Sequence, residues 1–308
     1  MSYKGGKFIW HNGQIVNWDE AKVHVLTHAL HYGSSVFEGI RVYKTPDGLK
    51  VFRLSDHIKR LYNSAKIYRM PIPFNEHEII DACKKLITDN DLNNGAYIRP
   101  IAFRGYGEIG LAPKNDHPVD VSIAAWEWGT YLGIEALENG VDVCVSSWQR
   151  VAPNTIPTQA KAGGNYLSST LISTEAKRLG FDEGIALSTD GMVSEGAGEN
   201  LFLVKNGKLY TPPASSGILT GITRDTVMKI CLRLGFSVNE EPINRESLYL
   251  ADEMFFTGTA AEITPISTVD RIAIGSGKRG PITEQLQNEF FGLFSNKTDD
   301  DHKWLESI

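Results

Sequence analysis

Apolar and polar positions alternate at the start of the chain as a hairpin requires. Phe8-Ile9-Trp10 and Gln14-Ile15-Val16 flank Asn12-Gly13, a pair that supplies the positive φ angles of a two-residue turn, so residues 7–18 are expected as two antiparallel strands. Val23-His24-Val25 reads as a further short strand. Ile40 to Tyr43 alternates as another and turns at Pro46-Asp47-Gly48 into Lys50-Val51-Phe52. The apolar period then lengthens to that of a helix. Ile58, Leu61, Ala65 and Tyr68 share one face of a helix expected from Asp56 to about Tyr68, with Ser55 as N-cap. Ile79, Cys83 and Leu86 do the same from about Asn75 to Thr88. Ala96–Phe103 and Val119–Trp126 read as strands. The loop joining them, 104–118, is punctuated by Gly and Pro and is long for a connector, which points to a functional or interface role.

The passage from Trp128-Gly129 to Gly140 separates two expected domains, residues 1–128 and 141–308, with 129–140 as linker. The second opens on a strand, Val141–Ser147, and a loop carrying Pro153 and Pro157. A helix follows from Leu167 to Leu179. Strand segments at 184–188 and 193–204 precede an Asn206-Gly207 turn. Leu219-Thr220-Gly221-Ile222-Thr223 opens a helix that runs to Leu234 and stops at Gly235. A strand, Glu253–Thr257, ends in Gly258-Thr259-Ala260-Ala261. A strand (Arg271–Ile274) and a helix (Pro281–Phe294) complete the expected elements.

With 308 residues, 42% hydrophobic and 22% charged, the chain is long enough for two globular cores. A net charge of −6 and the lack of a Lys/Arg run argue against nucleic acid. Cys83, Cys144 and Cys231 are dispersed, and no C-x-x-C occurs, so neither a disulfide frame nor a zinc ribbon is expected. No apolar run matches a signal peptide or a membrane span, so a cytoplasmic location is the expectation. Two motifs mislead. Gly275-Ser276-Gly277-Lys278-Arg279-Gly280 matches G-x-G-x-x-G, but too little chain follows to complete a dinucleotide unit. His77-Glu78-Ile79-Ile80-Asp81 lacks the second histidine of a zinc pair, and no metal is expected.

The chemistry gathers around Thr158-Gln159-Ala160-Lys161-Ala162-Gly163-Gly164-Asn165-Tyr166. Lys161 stands among small, uncharged residues. An amine in apolar surroundings loses its proton more readily and becomes a nucleophile suited to a carbonyl. Glu195 follows in Val193-Ser194-Glu195-Gly196-Ala197-Gly198-Glu199-Asn200, where small neighbours let a flat molecule approach. The start of the helix at Thr220-Gly221-Ile222-Thr223 offers N–H groups to a phosphate, and Gly258-Thr259-Ala260 offers more. A Schiff-base lysine, a carboxylate for a pyridinium nitrogen and a phosphate cup are the protein parts that pyridoxal phosphate requires.

The same stretches, with Gly221-Ile222-Thr223-Arg224, Gly258-Thr259-Ala260-Ala261-Glu262 and the His31-Tyr32-Gly33 segment, resemble the branched-chain-amino-acid aminotransferases, fold-type-IV enzymes that use pyridoxal phosphate. The resemblance runs over nearly the whole chain. It implies an α/β (α+β) fold, with a smaller N-terminal α/β domain and a larger, β-barrel-like C-terminal domain. It implies that Lys161 carries the cofactor and moves the proton, that Glu195 pairs with the pyridine nitrogen and that Tyr166 bonds the ring hydroxyl oxygen. Arg60, Thr259 and the backbone of Ile222 and Thr223 would hold the phosphate, with Leu219 beneath the ring. The substrate carboxylate would meet Tyr97, steadied by Arg41, and the Thr259-Ala260 backbone. Phe37, Gly39, Trp128 and Tyr131 would line the side-chain pocket, joined by Tyr32 and Leu111 of a neighbouring subunit, so at least a homodimer is implied. Arg99, two residues from Tyr97 and on the same strand face, is the candidate cation for glutamate, expected near the rim or partnered. The implied reaction is transamination of leucine, isoleucine and valine with 2-oxoglutarate. A D-amino-acid or (R)-amine aminotransferase, or an aminodeoxychorismate lyase, is the alternative. Tyr97-x-Arg99 together with Gly258-Thr259-Ala260 favours the branched-chain reading.

Overall fold

A computed structural model describes residues 5–129, 133 and 135–308. The chain divides into two compact units. The first takes residues 1–128, 160–164 and 300–308, and the second takes 129–159 and 165–299. The sequence had assigned everything beyond 140 to the second domain. Pairing explains why two later segments join the first. Ala162 forms a β-bridge with Val36, and the terminal strand Leu305–Ser307 pairs antiparallel with residues 50–52. Residues 129 and 135–140 belong with the second unit rather than to neither.

The first unit is built on a sheet of eight strands among the described residues. β1 (Phe8–His11) and β2 (Gln14–Asn17) form the expected hairpin, with Asn12 at φ 47° and Gly13 at φ 88°. Helix α1 (His28–Tyr32) comes next, where no helix was foreseen, followed by β3 (Ser35–Phe37), β4 (Ile40–Thr45) and β5 (Gly48–Phe52). The strand expected at 23–25 is absent. That segment is a turn closed by Thr27 N–H donating to His24 O, and Val25 is exposed. Helices α2 (Leu54–Ile67) and α3 (Glu76–Asp89) lie in sequence before β6 (Ala96–Arg104) and β7 (Val119–Trp126). The order across the sheet is terminal strand, β5, β4, β6, β7, β1, β2, with β3 also paired to β6. The apolar stripes found in the sequence, Ile58, Leu61 and Ala65 on α2 and Ile79, Cys83 and Leu86 on α3, are buried in one core with Val42, Val51, Ile98 and Ile123 of the strands.

Ser55 is not the N-cap of α2. Arg53 occupies that position in the left-handed region at φ 54°. The Ser55 N–H and hydroxyl instead donate to Glu306 of the terminal strand at 2.7 and 3.0 Å. A distant carboxylate thus serves the positive end of the helix. Asn75 does cap α3, in a reciprocal box with Glu78.

The second unit has nine strands among the described residues. α4 (Ala136–Asn139) leads to β8 (Val141–Val145), α5 (Tyr166–Arg178), β9 (Glu183–Leu187), β10 (Val193–Gly196), β11 (Asn200–Lys205) and β12 (Lys208–Thr211). Then come α6 (Ile222–Arg233), β13 (Val238–Glu240), α7 (Arg245–Tyr249), β14 (Glu253–Gly258), β15 (Glu262–Val269), β16 (Ile272–Ala273) and α8 (Pro281–Gly292). The ladder runs β10-β9-β8-β15-β14-β11-β12-β13, with β16 on β15. β10, at its end, continues through a tight turn into β11, well inside it, with Gly196 N–H donating to Glu199 O at 2.7 Å. That connection bends the sheet back on itself in a barrel-like manner. β15 was missed in the sequence because Pro265 speaks against a central strand, yet Pro265 sits opposite Phe255 in the ladder. The core here includes Val143, Ile185, Leu201, Met254, Phe256 and Ile266.

Candidate active site

In the first unit the lysine segment lies along β3. Phe37 N–H donates to Lys161 O at 3.0 Å, and Lys161 N–H donates to Ser64 Oγ of α2 at 3.0 Å. The backbone of Lys161 is therefore held on both sides, and its Nζ stands 5.1 Å from the centre of the Phe37 ring. Ser64 was not singled out in the sequence. A serine at a buried helix position is its only signal.

Arg60 points from α2 at Glu38, with Nε to Oε1 at 2.6 Å and NH2 to Oε2 at 2.9 Å. His57, one turn earlier, approaches Glu38 Oε2 through Nδ1 at 2.7 Å. Burial opposes the charge on Glu38, but Arg60 and His57 outweigh it and hold its carboxyl far below the ordinary range. Burial lowers the pKa of His57, Glu38 partly opposes this, and the Arg60 and Lys161 cations add to it. His57 is accordingly a neutral ring that donates from Nδ1.

Tyr97 and Arg99 share a face of β6 as expected, and Arg41 of β4 lies directly opposite Tyr97. Gly39 is a glycine because a Cβ there would overlap the Tyr97 hydroxyl. Arg99 donates to that hydroxyl at 3.3 Å. Its guanidinium carbon lies 4.9, 5.2 and 5.9 Å from the ring centres of Phe37, Tyr97 and Trp126. Three aromatic faces keep a cation tolerable where water is scarce. Arg99 Nε is buried with no hydrogen-bond partner among the described residues, which suits an incoming carboxylate. Trp128 packs against Tyr97 in a tilted arrangement with ring centres 4.9 Å apart, and Trp126, not foreseen, does so at 5.3 Å. Tyr131 lies outside the described residues. Tyr32 and Leu111 are exposed, in the neighbourhood of α1 and the 105–118 loop.

In the second unit Glu195 of β10 is buried and tightly bound. Its Oε1 pairs with Arg150 NH2 at 2.8 Å, and its Oε2 accepts from Asn200 Nδ2 at 3.0 Å and from Leu219 N–H at 3.1 Å. Leu219 is thereby fixed beside the acid, and Asn200 also donates to Leu219 O at 2.8 Å. Arg150 and Asn200 were missed. Asn200 stood in the quoted motif without a role, and Arg150 stood out only as an isolated charge. Gly221 is the N-cap of α6 and has no side chain with which to cap the N–H groups of Ile222 and Thr223. A Cβ at Gly221 would run into Asn200. Thr259 and Ala260 form the turn of the β14–β15 hairpin, whose last pair is Gly258 with Glu262. Thr257, opposite Asn200 in the ladder, has a buried hydroxyl with no hydrogen-bond partner among the described residues. Tyr166 is the first residue of α5 and is half-buried.

Within the second unit, a helix start without a side-chain cap and the buried Thr257 hydroxyl are donors suited to phosphate oxygens, and the fixed Glu195 carboxylate is suited to a ring N–H. Within the first unit, Lys161 is an amine suited to an aldehyde. The nucleotide reading of Gly275–Gly280 fails on the same grounds. The start of α8 is already filled by the unit's own Glu253, which accepts from Ile282 N–H, Thr283 N–H and Thr283 Oγ at 2.7–3.0 Å. His77 bonds Asp81 on the surface, and no cluster able to hold a metal occurs among the described residues. No helix there is long and apolar enough to cross a membrane.

A family model for amino-transferase class IV matches residues 35–269. The chain is 55% identical over 308 residues to the branched-chain-amino-acid aminotransferase of Escherichia coli K12, covering 100% of this chain and 99% of that protein. The Pseudomonas aeruginosa enzyme of the same name is 47% identical over 296 residues, covering 96% and 95%. Among solved structures, the E. coli enzyme superposes with a TM-score of 0.97 over 98% of this chain and 99% of that one. The Thermobaculum terrenum enzyme in its PLP-bound holo-form superposes with a TM-score of 0.89 at 37% identity, covering 98% of each.

Proposed function

The chain belongs to the class IV amino-transferases, and from that premise we propose that it exchanges the amino group of leucine, isoleucine or valine with 2-oxoglutarate, reversibly, using pyridoxal 5'-phosphate. The observation that carries this reading is the end-to-end likeness to branched-chain-amino-acid aminotransferases. When bound, the cofactor draws electrons from the substrate Cα so that its proton can leave.

The residues then divide the work. Lys161 holds the cofactor's aldehyde and afterwards takes the Cα proton on Nζ and returns it. The Ser64 and Phe37 contacts restrict where that amine can swing. Glu195, paired with Arg150, would face the ring nitrogen, and Tyr166 would face the ring hydroxyl oxygen. Leu219 would pack against the ring. Arg60, Thr259 and the Ile222 and Thr223 N–H groups receive the phosphate. The Tyr97 hydroxyl, ordered by Arg41, and the Thr259-Ala260 backbone receive the substrate carboxylate. Phe37, Gly39, Trp128 and Tyr131 give the side chain an apolar wall, and Arg99 accepts the second carboxylate of glutamate.

The protein is also proposed to act as at least a homodimer. Leu30, Tyr32, Tyr106, Ile109 and Leu111 are large apolar residues left exposed on α1 and the 105–118 loop, which His28 Nε2 and Gly110 O tie together at 2.9 Å. Tyr32 and Leu111 would complete a neighbour's pocket. Three buried, unpaired cysteines are in keeping with a reducing, cytoplasmic setting.

Steady-state assay of the full chain with pyridoxal 5'-phosphate tests the reaction. L-leucine, L-isoleucine and L-valine should be turned over with 2-oxoglutarate much faster than D-alanine or (R)-phenylethylamine. Faster turnover of D-alanine would move the chain to another activity of the fold.

A further inference from the structure

Glu38 has no exposed surface and was given no part in the chemistry above. Its position is nonetheless tightly determined. Its N–H donates to Pro100 O at 2.9 Å, and it sits between Phe37 and Gly39, both assigned to the substrate wall. Its two oxygens accept from Arg60 Nε, Arg60 NH2 and His57 Nδ1 at 2.6–2.9 Å, and Gly39 N–H approaches Oε2 at 3.3 Å. A guanidinium carries its N–H donors in one plane, on two bidentate edges. Glu38 takes the Nε/NH2 edge. This fixes the plane and sets the direction of the adjacent NH1/NH2 edge, about 120° around the group. A lysine in place of Arg60 could not present two such edges to two anions.

We propose that Glu38 is the positioning residue of Arg60: it grips the guanidinium by one edge so that the other edge meets the cofactor's 5'-phosphate, with His57 steadying the carboxylate from the same helix. The proposal rests on Arg60 being a phosphate ligand. An ion pair that only held α2 to the β3–β4 connection would lower stability when broken, but it would not distinguish a phosphorylated ligand from an unphosphorylated one.

The test therefore measures a ratio. The full chain, stripped of cofactor, is titrated with pyridoxal 5'-phosphate and with pyridoxal, which has the aldehyde and ring but no phosphate. Wild type, Glu38→Gln, Arg60→Met and the double variant are compared, each checked for folding by circular dichroism. Glu38→Gln should lower the ratio of the two affinities by about tenfold or more, the scale of a charge-assisted hydrogen bond. It should lower it no further when Arg60 is already methionine. An unchanged or increased ratio in folded Glu38→Gln, or losses that simply add, would overturn the proposal. Should Glu38→Gln not fold, Glu38→Asp, which keeps the charge but retracts it by one methylene, is read the same way. An intact ratio in Arg60→Met would instead defeat the phosphate role of Arg60 itself.

Discussion

Single atoms decide much of the pocket. At Gly39, a methyl group would overlap the Tyr97 hydroxyl, so Gly39→Ala must displace the group assigned to the substrate carboxylate. We expect kcat/KM to fall about 100-fold for leucine and glutamate alike, because both present the same α-carboxylate. Arg99 should behave differently. Its ring of aromatic faces tolerates a cation that has no acid partner among the described residues, and of the two amino acids only glutamate brings a second carboxylate. Arg99→Ala should therefore raise KM for glutamate far more than for leucine, and comparable losses in the two half-reactions would contradict the shared-pocket account. Lys161→Ala should abolish turnover while leaving the circular dichroism spectrum native, since the segment's backbone bonds to Ser64 and Phe37 do not involve the side chain.

Among the elements, α2 carries His57, Arg60 and Ser64, so whatever steadies α2 steadies the contacts these three make to Glu38 and to the Lys161 backbone. Its N-terminus is served by Glu306, a charge-assisted contact worth about 1 kcal/mol at a partly exposed helix end. Glu306→Gln should lower stability by about that amount in a denaturant titration, whereas a change below about 0.2 kcal/mol would mean water serves the helix end equally well. This cap was not legible in the sequence, because its partner lies at the far end of the chain and Ser55 looked like a local cap. The helical stripes of α2 and α3, the first hairpin, β6 and β7 were legible, since each obeys a local period or turn rule. β15 was hidden by Pro265, and α1 by its brevity. Among the candidate functional residues, Lys161, Glu195 and the α6 start could be picked out by their unusual small-residue surroundings. Glu38, Arg150, Asn200 and Ser64 could not, because each acts through another side chain or backbone group and only tertiary contact shows which.

For the molecule as a whole, the first loss of stability on acidification should come from two histidines of the first unit. His57 and His28 are both buried there with their pKa values lowered, in each case first by burial. Gly110 partly opposes the shift at His28, while His117, Arg104 and His31 reinforce it. A histidine that is less basic folded than unfolded costs nothing above its unfolded value, 6.5, where both states are neutral. As pH falls below that value the unfolded chain takes up the proton and the folded chain does not, so stability declines until the folded pKa is reached. Each such histidine contributes a slope of about 1.4 kcal/mol per pH unit in that window. Glu38 adds its own loss at lower pH, as the unfolded carboxyl, at 4.5, begins to protonate first. Unfolding free energies of the cofactor-free chain should therefore show little change from these groups between pH 8 and 7, then fall steeply from about pH 6. His28→Asn should reduce the histidine slope while leaving the Glu38 limb in place. The same variant removes the tie between His28 and Gly110, next to Leu111, so the proposed dimer should also dissociate at a higher protein concentration than for wild type. Sedimentation measured beside the unfolding series separates the two effects, because the slope belongs to a proton and the dissociation to a lost hydrogen bond.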